Sequence, residues 1–325
     1  MLSVHKTAIV IGKETTEGVA TTGGSSILAY NLEMTPMETE QFTRDPMTAS
    51  LGSYEHMHTG LRGRIAFQVD LTPPKNKGDV PVFHYLLLAC GYKHAEISGT
   101  TTQQYTLDDS IPTTLTIMAF LDGVLHRFTG ARGNVQFIAK LHETPIMQFE
   151  FLGLWKNPFD VGPAPVNFNY FIRPVIVDSH STSLTVNDKA VPARLLEVNT
   201  GNSIDFLETL DNKSIILSNR QSSGNLTFSV GSVADFNPTL AISANTAFNH
   251  ELKIIYPSLQ SVVIKMPYTQ WHQHSLSTES NQWFHRVALG ISDRQTDTSP
   301  ITLELPRGVS SYYSWYWRVS NFAPD

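Results

Sequence analysis

The chain has 325 residues, 41% hydrophobic, 10% aromatic and only 16% charged, which excludes a disordered chain and leaves room for one large domain or two smaller ones. Lys and Arg number 23 against 29 Asp and Glu, a net charge of −6. Residues 1–162 carry 12 basic and 16 acidic side chains and the remainder 11 and 13, so neither half offers a basic surface that would hold nucleic acid by counterion release.

The stretch from Met1 to Lys6 lacks the basic and apolar regions of a signal peptide. The single cysteine, Cys90, has no intramolecular disulfide partner, and Val82–Cys90, the longest apolar stretch, is too short to span a bilayer. These features lead us to expect a protein made in the cytosol, without a membrane anchor. Gly12 and Lys13 lack the spacer and the Ser or Thr of a phosphate-binding loop.

Period-two alternation of β-branched and aromatic residues begins at Ile65–Leu71 and predicts antiparallel strands. Pro81 then opens a helix with Phe83, Leu86, Leu87 and Cys90 on one face, and Gly91 stops it. Alternation resumes over Thr114–Phe120, and Asp122-Gly123 marks a tight hairpin into Val124–Thr129. Further strands follow at Asn134–Leu141, Ile146–Leu152, Leu226–Val230 and Ser261–Met266. A second short helix is expected from Asn237 as cap and Pro238, with Leu240, Ala241 and Ala244 on its apolar side. The fold class is all-β with few short helices.

The order of these elements repeats. Gly63–Val69 and Gly224–Val230 share three of seven residues, and each is preceded by a Leu-Glu pair, at Leu32-Glu33 and Leu196-Glu197. Each is followed by a helix and then by a closing strand, ending near Gly153 or Gly290. An internal duplication accounts for this order and divides the chain into 1–162, 163–309 and an aromatic extension, 310–325.

The sequence carries no nucleophile elbow and no zinc-peptidase helix. His56 and His58, and His272 and His274, have the spacing of paired ligands on a strand, but neither pair has a nearby third ligand, so both read as ordinary histidines. Asp108 and Asp109 read as turn residues and Cys90 as a small core side chain. We expect no enzyme activity, no metal and no cofactor.

Lys13–Gly18, Asn31–Glu38, Gly60–Phe67, Leu86–Tyr92, Gly130–Val135 and Pro145–Trp155, taken in order, resemble the tail tube proteins (major tail proteins) of siphophages, the long non-contractile-tailed bacteriophages. The resemblance covers about residues 10–160 and fades beyond them. It implies units of two packed antiparallel sheets with a flanking helix, assembled into rings that stack into a tube. It also implies a virion protein assembled in the bacterial cytoplasm. Its partners would be copies of itself, the tape-measure protein and the terminator or distal tail proteins at the tube ends. Double-stranded DNA would pass through without specific binding. The resemblance further implies a loop reaching the next ring, over Thr43–Thr59 with a counterpart at Thr209–Ser222. The candidates there are Arg44, Asp45, Met47, Tyr54, His56, His58, Asp211, Lys213 and Arg220.

Glu33, Glu38, Glu40, Asp70 and Glu197 are candidate lumen charges, since an acidic wall gives phosphates little to adhere to. Tyr312, Tyr313, Trp315, Tyr316 and Trp317 form a candidate docking segment for a neighbouring subunit, or else a final core strand. Two repeats per chain favour trimeric rings with pseudo-sixfold symmetry over true hexamers. The rival reading is a tail-tip or fibre-type carbohydrate-binding β-sandwich, with Tyr268, Trp271, His272 and Trp283 as its sugar platform.

Overall fold

The computed structural model describes residues 6–44, 55–76, 78–97, 102–110, 112–229, 236–258, 260–279, 281–292 and 299–306. The first half runs through β1 (Thr7–Lys13), β2 (Ser25–Ile27), β3 (Ala29–Thr43), β4 (His56–Asp70), helix α1 (His84–Ala89), β5 (Tyr92–Ile97), β6 (Thr102–Leu107), β7 (Leu115–Leu121), β8 (Val124–Lys140) and β9 (Ile146–Asp160). The second half continues with β10 (Thr182–Val186), β11 (Lys189–Ala190), β12 (Ala193–Asn199), β13 (Asn202–Glu208), β14 (Lys213–Arg220), β15 (Ser223–Phe228) and helix α2 (Pro238–Ser243). It closes with β16 (Ala247–Ile255), β17 (Ser261–Glu279), β18 (Gln282–Ile291) and β19 (Thr302–Leu305). The fold is all-β, built from antiparallel sheets with two short helices.

Local chemistry sets the corners. Asp122 and Gly123 both have positive φ (46° and 93°), the backbone a tight two-residue hairpin needs, and they join β7 to β8. Helix α1 begins at His84 rather than at Pro81, because Pro81–Phe83 form a preceding turn closed by His84 N–H donating to the Pro81 carbonyl at 3.0 Å. Its expected face is buried: Phe83, Leu86, Leu87 and Cys90 lie in the core. Asn237 caps α2, its side chain accepting from Leu240 N–H at 3.0 Å, but Leu240 itself points into solvent. A helix of six residues has too few turns to bury a full stripe.

The strand order recurs. In the first half hydrogen-bonded neighbours run β2-β1-β7-β8-β9-β4-β3, and in the second β11-β10-β16-β17-β18-β15-β12, all antiparallel. In both, a helix follows the strand that the closing hairpin later joins. The halves differ by the β5–β6 hairpin in the first and by a break that sets β13 and β14 off as their own two-stranded sheet in the second.

Two ladders stitch the halves together. The last residues of β8 pair with β12, Gln136 opposite Asn199 through Lys140 opposite Leu195, and β19 pairs with β6. The core is correspondingly continuous, from Ile9 and Ile11 through Phe67, Phe149 and Phe151 to Leu226, Val287 and Leu303. Each buried phenylalanine contributes about 2–3 kcal/mol by leaving water. Tyr256 Oη donates to the Leu71 carbonyl and Gln260 Nε2 to the Pro74 carbonyl, so polar contacts cross the same boundary.

A buried acid shapes β8. Between Thr129 and Arg132 the strand bulges. Glu14 fills the gap: it accepts from Gly130 N–H at 2.9 Å and Thr116 Oγ1 at 2.8 Å with one oxygen, and from Gly18 N–H at 2.9 Å with the other. A carboxylate can be buried there because each of its oxygens meets a donor.

Candidate assembly surfaces

Residues directly opposite on neighbouring strands share a face of the sheet. From the registers, one face runs without a break across eight strands in the order β3-β4-β9-β8-β12-β15-β18-β17. Its side chains on the middle strands are Gln68, Gln148, Gln136, Asn199, Asn225 and Ala288, while the opposite face carries Phe67, Phe149, Phe137, Val198 and Leu226. One side of this sheet is therefore core and the other is polar.

An ion-pair cluster lies at the β3–β4 end of the polar face, while Arg127 opposite Lys156 and Arg286 opposite Thr227 lie farther along it. Arg62 meets Glu40 at 2.9 Å and Glu38 at 3.5 Å, and Arg64 meets Glu38 at 3.4 Å and also pairs with Glu150. Two guanidinium groups facing three carboxylates leave no free cation in the cluster, and the Arg64–Glu150 pair contributes little to stability because it is exposed. Of the other lumen candidates, Glu33 is exposed and opposite Ala66, and Glu197 accepts from Asn225 Nδ2 at 3.0 Å. Asp70 accepts from Tyr30 Oη at 3.1 Å, and partial burial holds its carboxyl above the ordinary range. All five candidates lie on this polar side of the sheet or at its β3 end.

The ring-contact candidates separate into groups. Asp45, Met47 and Tyr54 fall outside the described residues, as do the aromatics Tyr312, Tyr313, Trp315, Tyr316 and Trp317. Arg44 is exposed at the end of β3. His56 and His58 belong to β4 and not to a loop: His56 Nδ1 meets Thr43 Oγ1 at 2.6 Å, and His58 Nδ1 meets Thr39 Oγ1 at 3.2 Å, both across the ladder.

The expected second loop, Thr209–Ser222, is instead mostly strand β14, and only Thr209–Asn212 form the tip. Asp211 is exposed at that tip, and Lys213 pairs with Glu208 at 2.8 Å. Arg220 is not at a tip at all. It donates to Asn202 Oδ1 at 3.0 Å and to the Asp108 carbonyl at 3.1 Å and pairs with Asp109 at 3.3 Å, fixing the base of the β13–β14 hairpin to the first half of its own chain.

The β3–β4 hairpin extends a sheet edge, whereas β13 and β14 form their own sheet packed against β8 and β9, with Phe206 under the Arg62 guanidinium. At the base of the second, Gly201 has φ of 71°, and a Cβ there would sit 1.8 Å from the Gln221 carbonyl oxygen, so only glycine permits the break between β12 and β13. Tyr30, Met37, Phe42 and Met57 are exposed on the first hairpin, and Leu207 and Leu210 on the second. The sequence gives no warning of what braces this second hairpin. Arg132, buried in β8, forks onto Glu17 at 2.9 and 3.0 Å, and it also donates to the Ile215 carbonyl of β14.

The sugar platform does not form. Trp271 is buried, stacked on Phe248 with centroids 4.7 Å apart, and its Nε1 donates to His250 Nε2 at 3.4 Å. Trp283 is exposed near the far end of the β17–β18 hairpin, opposite Thr278, and Tyr268 is half-buried. The residues are strung along the hairpin rather than gathered, because bulging at Trp271 turns its ring into the core. His272 and His274 also diverge: His272 is exposed and lies over Gly290, whereas His274 stacks on His285 with nitrogens 2.9 Å apart.

No protein-family model matches this chain, and no curated protein matches it in sequence.

Proposed function

We propose that the chain is a structural subunit that arose by tandem duplication and polymerises into stacked rings, forming a tube through which double-stranded DNA travels. The observation that carries this reading is that one seven-strand order occurs twice, with the two copies joined through β8 and β12 into a sheet whose outer face is polar and whose Arg62 and Arg64 are paired with carboxylates. Curved around an axis, such a face lets hydrated phosphates slide past where it is lined by amides and where Arg62 and Arg64 are already neutralised by Glu38, Glu40 and Glu150. The resemblance of residues 10–160 to siphophage tail tube proteins supplies the virion setting, with the tape-measure protein inside and terminator or distal tail proteins at the ends. Three chains carry six repeats, so the ring is a trimer with pseudo-sixfold symmetry, and the hairpins β3–β4 and β13–β14 project toward the next ring.

Electron microscopy of the purified protein tests this. Rings or tubes with threefold symmetry are expected. Six chains per ring would overturn the trimer, and a protein that remains monomeric at high concentration would overturn the tube. With Trp271 sealed in the core, Tyr268, Trp271, His272 and Trp283 do not together offer the platform that the glycan-binding alternative expects.

A further inference from the structure

The two halves can be aligned by register, because Gly63 lies opposite Gly153 on β4 and β9 while Gly224 lies opposite Leu289 on β15 and β18. Counting outward, Met147 corresponds to Trp283, Val135 to Leu276 and Phe137 to Thr278. On the other side, Met34 corresponds to Leu196 and Pro36 to Val198.

These matched positions differ sharply in burial. Val135 of β8 and Met147 of β9 are 0% exposed, beside the segment Gln136–Lys140 that pairs with β12. Leu276 of β17 and Trp283 of β18 are 53% and 66% exposed, at the end of the hairpin where, among the described residues, β18 is the only strand paired with β17. Leu240 of α2 is exposed too, and its neighbour Thr239 is 3.4 Å from His274 on the same strand. The mating strand shows the same contrast. Leu196 and Val198 of β12 are buried, whereas Met34 is half-buried, Pro36 is exposed, and β3 pairs with β4 alone among the described residues. The chain thus contains one completed junction and, on opposite flanks, the two open halves of a second.

We propose that a second copy of this chain completes it: the free edge of β3 adds to the unpaired flank of β17 in the next copy, bringing Met34–Pro36 against the strand around Thr278 and covering Leu276 and Trp283. The occupant is a second copy because the complementary surface already exists, in the same register, as β12 on β8. The contact is heterologous, so each copy keeps one open edge until a ring closes. Both exposed edges disappear on closure, as unpaired strands in soluble proteins require. Only the closed ring rests on the tube reading above; the strand pairing follows from the repeat.

Two single variants, Pro36→Cys and Thr278→Cys, are mixed and oxidised; Cys90 is buried and stays silent. The mixture is expected to give a disulfide-linked dimer that neither variant gives alone, and the double variant a ladder ending at the ring. Separately, Trp283→Lys, an exposed site, is expected to leave the circular dichroism spectrum unchanged and weaken self-association at least tenfold in sedimentation. Rings that assemble without the cross-link and tolerate Trp283→Lys would overturn this junction and leave the tube reading standing. Cross-linked oligomers with no rings or tubes in the microscope would support the junction and overturn the tube reading. A monomer at every concentration, with no cross-link, would overturn both.

Discussion

Gly63 and Gly153 face each other across β4 and β9, and Phe128, from β8, lies over both, its ring on Gly63 and its Cβ on Gly153. A Cβ on Gly63 would sit 2.3 Å from Phe128 Cε1 and 2.7 Å from the Pro36 carbonyl oxygen, and one on Gly153 would sit 2.8 Å from Phe128 Cβ. Gly63→Ala therefore forces the ring or the β3 backbone aside. We expect a loss of about 1–3 kcal/mol, read as a lower urea midpoint. An unchanged midpoint would show that the ring is not wedged there.

Arg132 braces the β13–β14 hairpin through Glu17 and the Ile215 carbonyl. Arg132→Ala leaves a buried carbonyl and a carboxylate without their donor and is expected to cost about 3 kcal/mol. Lysine lacks the planar fork, so Arg132→Lys should recover less than half of that. Hydrogen exchange localises the effect: amides of β13 and β14 should exchange faster in Arg132→Ala, while those of β4 keep their protection. Uniform acceleration over the whole chain would contradict a local brace.

Acid should unfold the second half through His250. Burial holds its pKa down at about 4, and its ring is neutral, with Nδ1 2.7 Å from Thr269 Oγ1 and Nε2 accepting from Trp271. In the unfolded chain the group titrates near 6.5, so between pH 6.5 and 4 the unfolded state binds the extra proton. Its stabilising contribution is therefore full above pH 6.5 and lost as the pH falls toward 4, about 3 kcal/mol in all. His84, also lowered to about 4 by burial, acts in the same direction in the first half. Urea midpoints measured from pH 7 to 4 should fall over this window, and His250→Gln should flatten the decline. A decline equally steep in that variant would assign it to other groups.

The polar face offers a direct test of passage. Gln136 and Gln148 lie side by side on β8 and β9, away from the core. Gln136→Lys with Gln148→Lys adds cations without touching either hairpin, so assembly should persist. The assemblies should then retain short duplex DNA at low salt and release it as salt rises, in contrast to the wild type. Equal retention by both would indicate that this face does not meet DNA.

Period-two burial in β4 and β9, the Asp122-Gly123 corner and the buried face of α1 were legible in the sequence because each rests on contacts within a few residues or on one strand's own alternation. The pairing of β12 with the end of β8 was not, since nothing in Leu195–Asn199 marks a partner some 60 residues away. Glu14 and Arg132 escaped for a related reason: a charged side chain in a mixed stretch reads as solvated unless the distant donors or acceptors that enclose it are known. Trp271 read as a surface aromatic because its neighbours are polar, and a single bulge reversed its direction.

β8 carries two partners in succession on one flank, β7 over its first half and β12 over its last residues, with β9 along the other. Tension passed along this strand loads its ladders in shear. Their hydrogen bonds lie across the pull and must fail together instead of opening one after another. The two halves of the molecule are thus coupled mechanically by a splice, not by a tether: force applied to one is carried into the other without a soft joint between them.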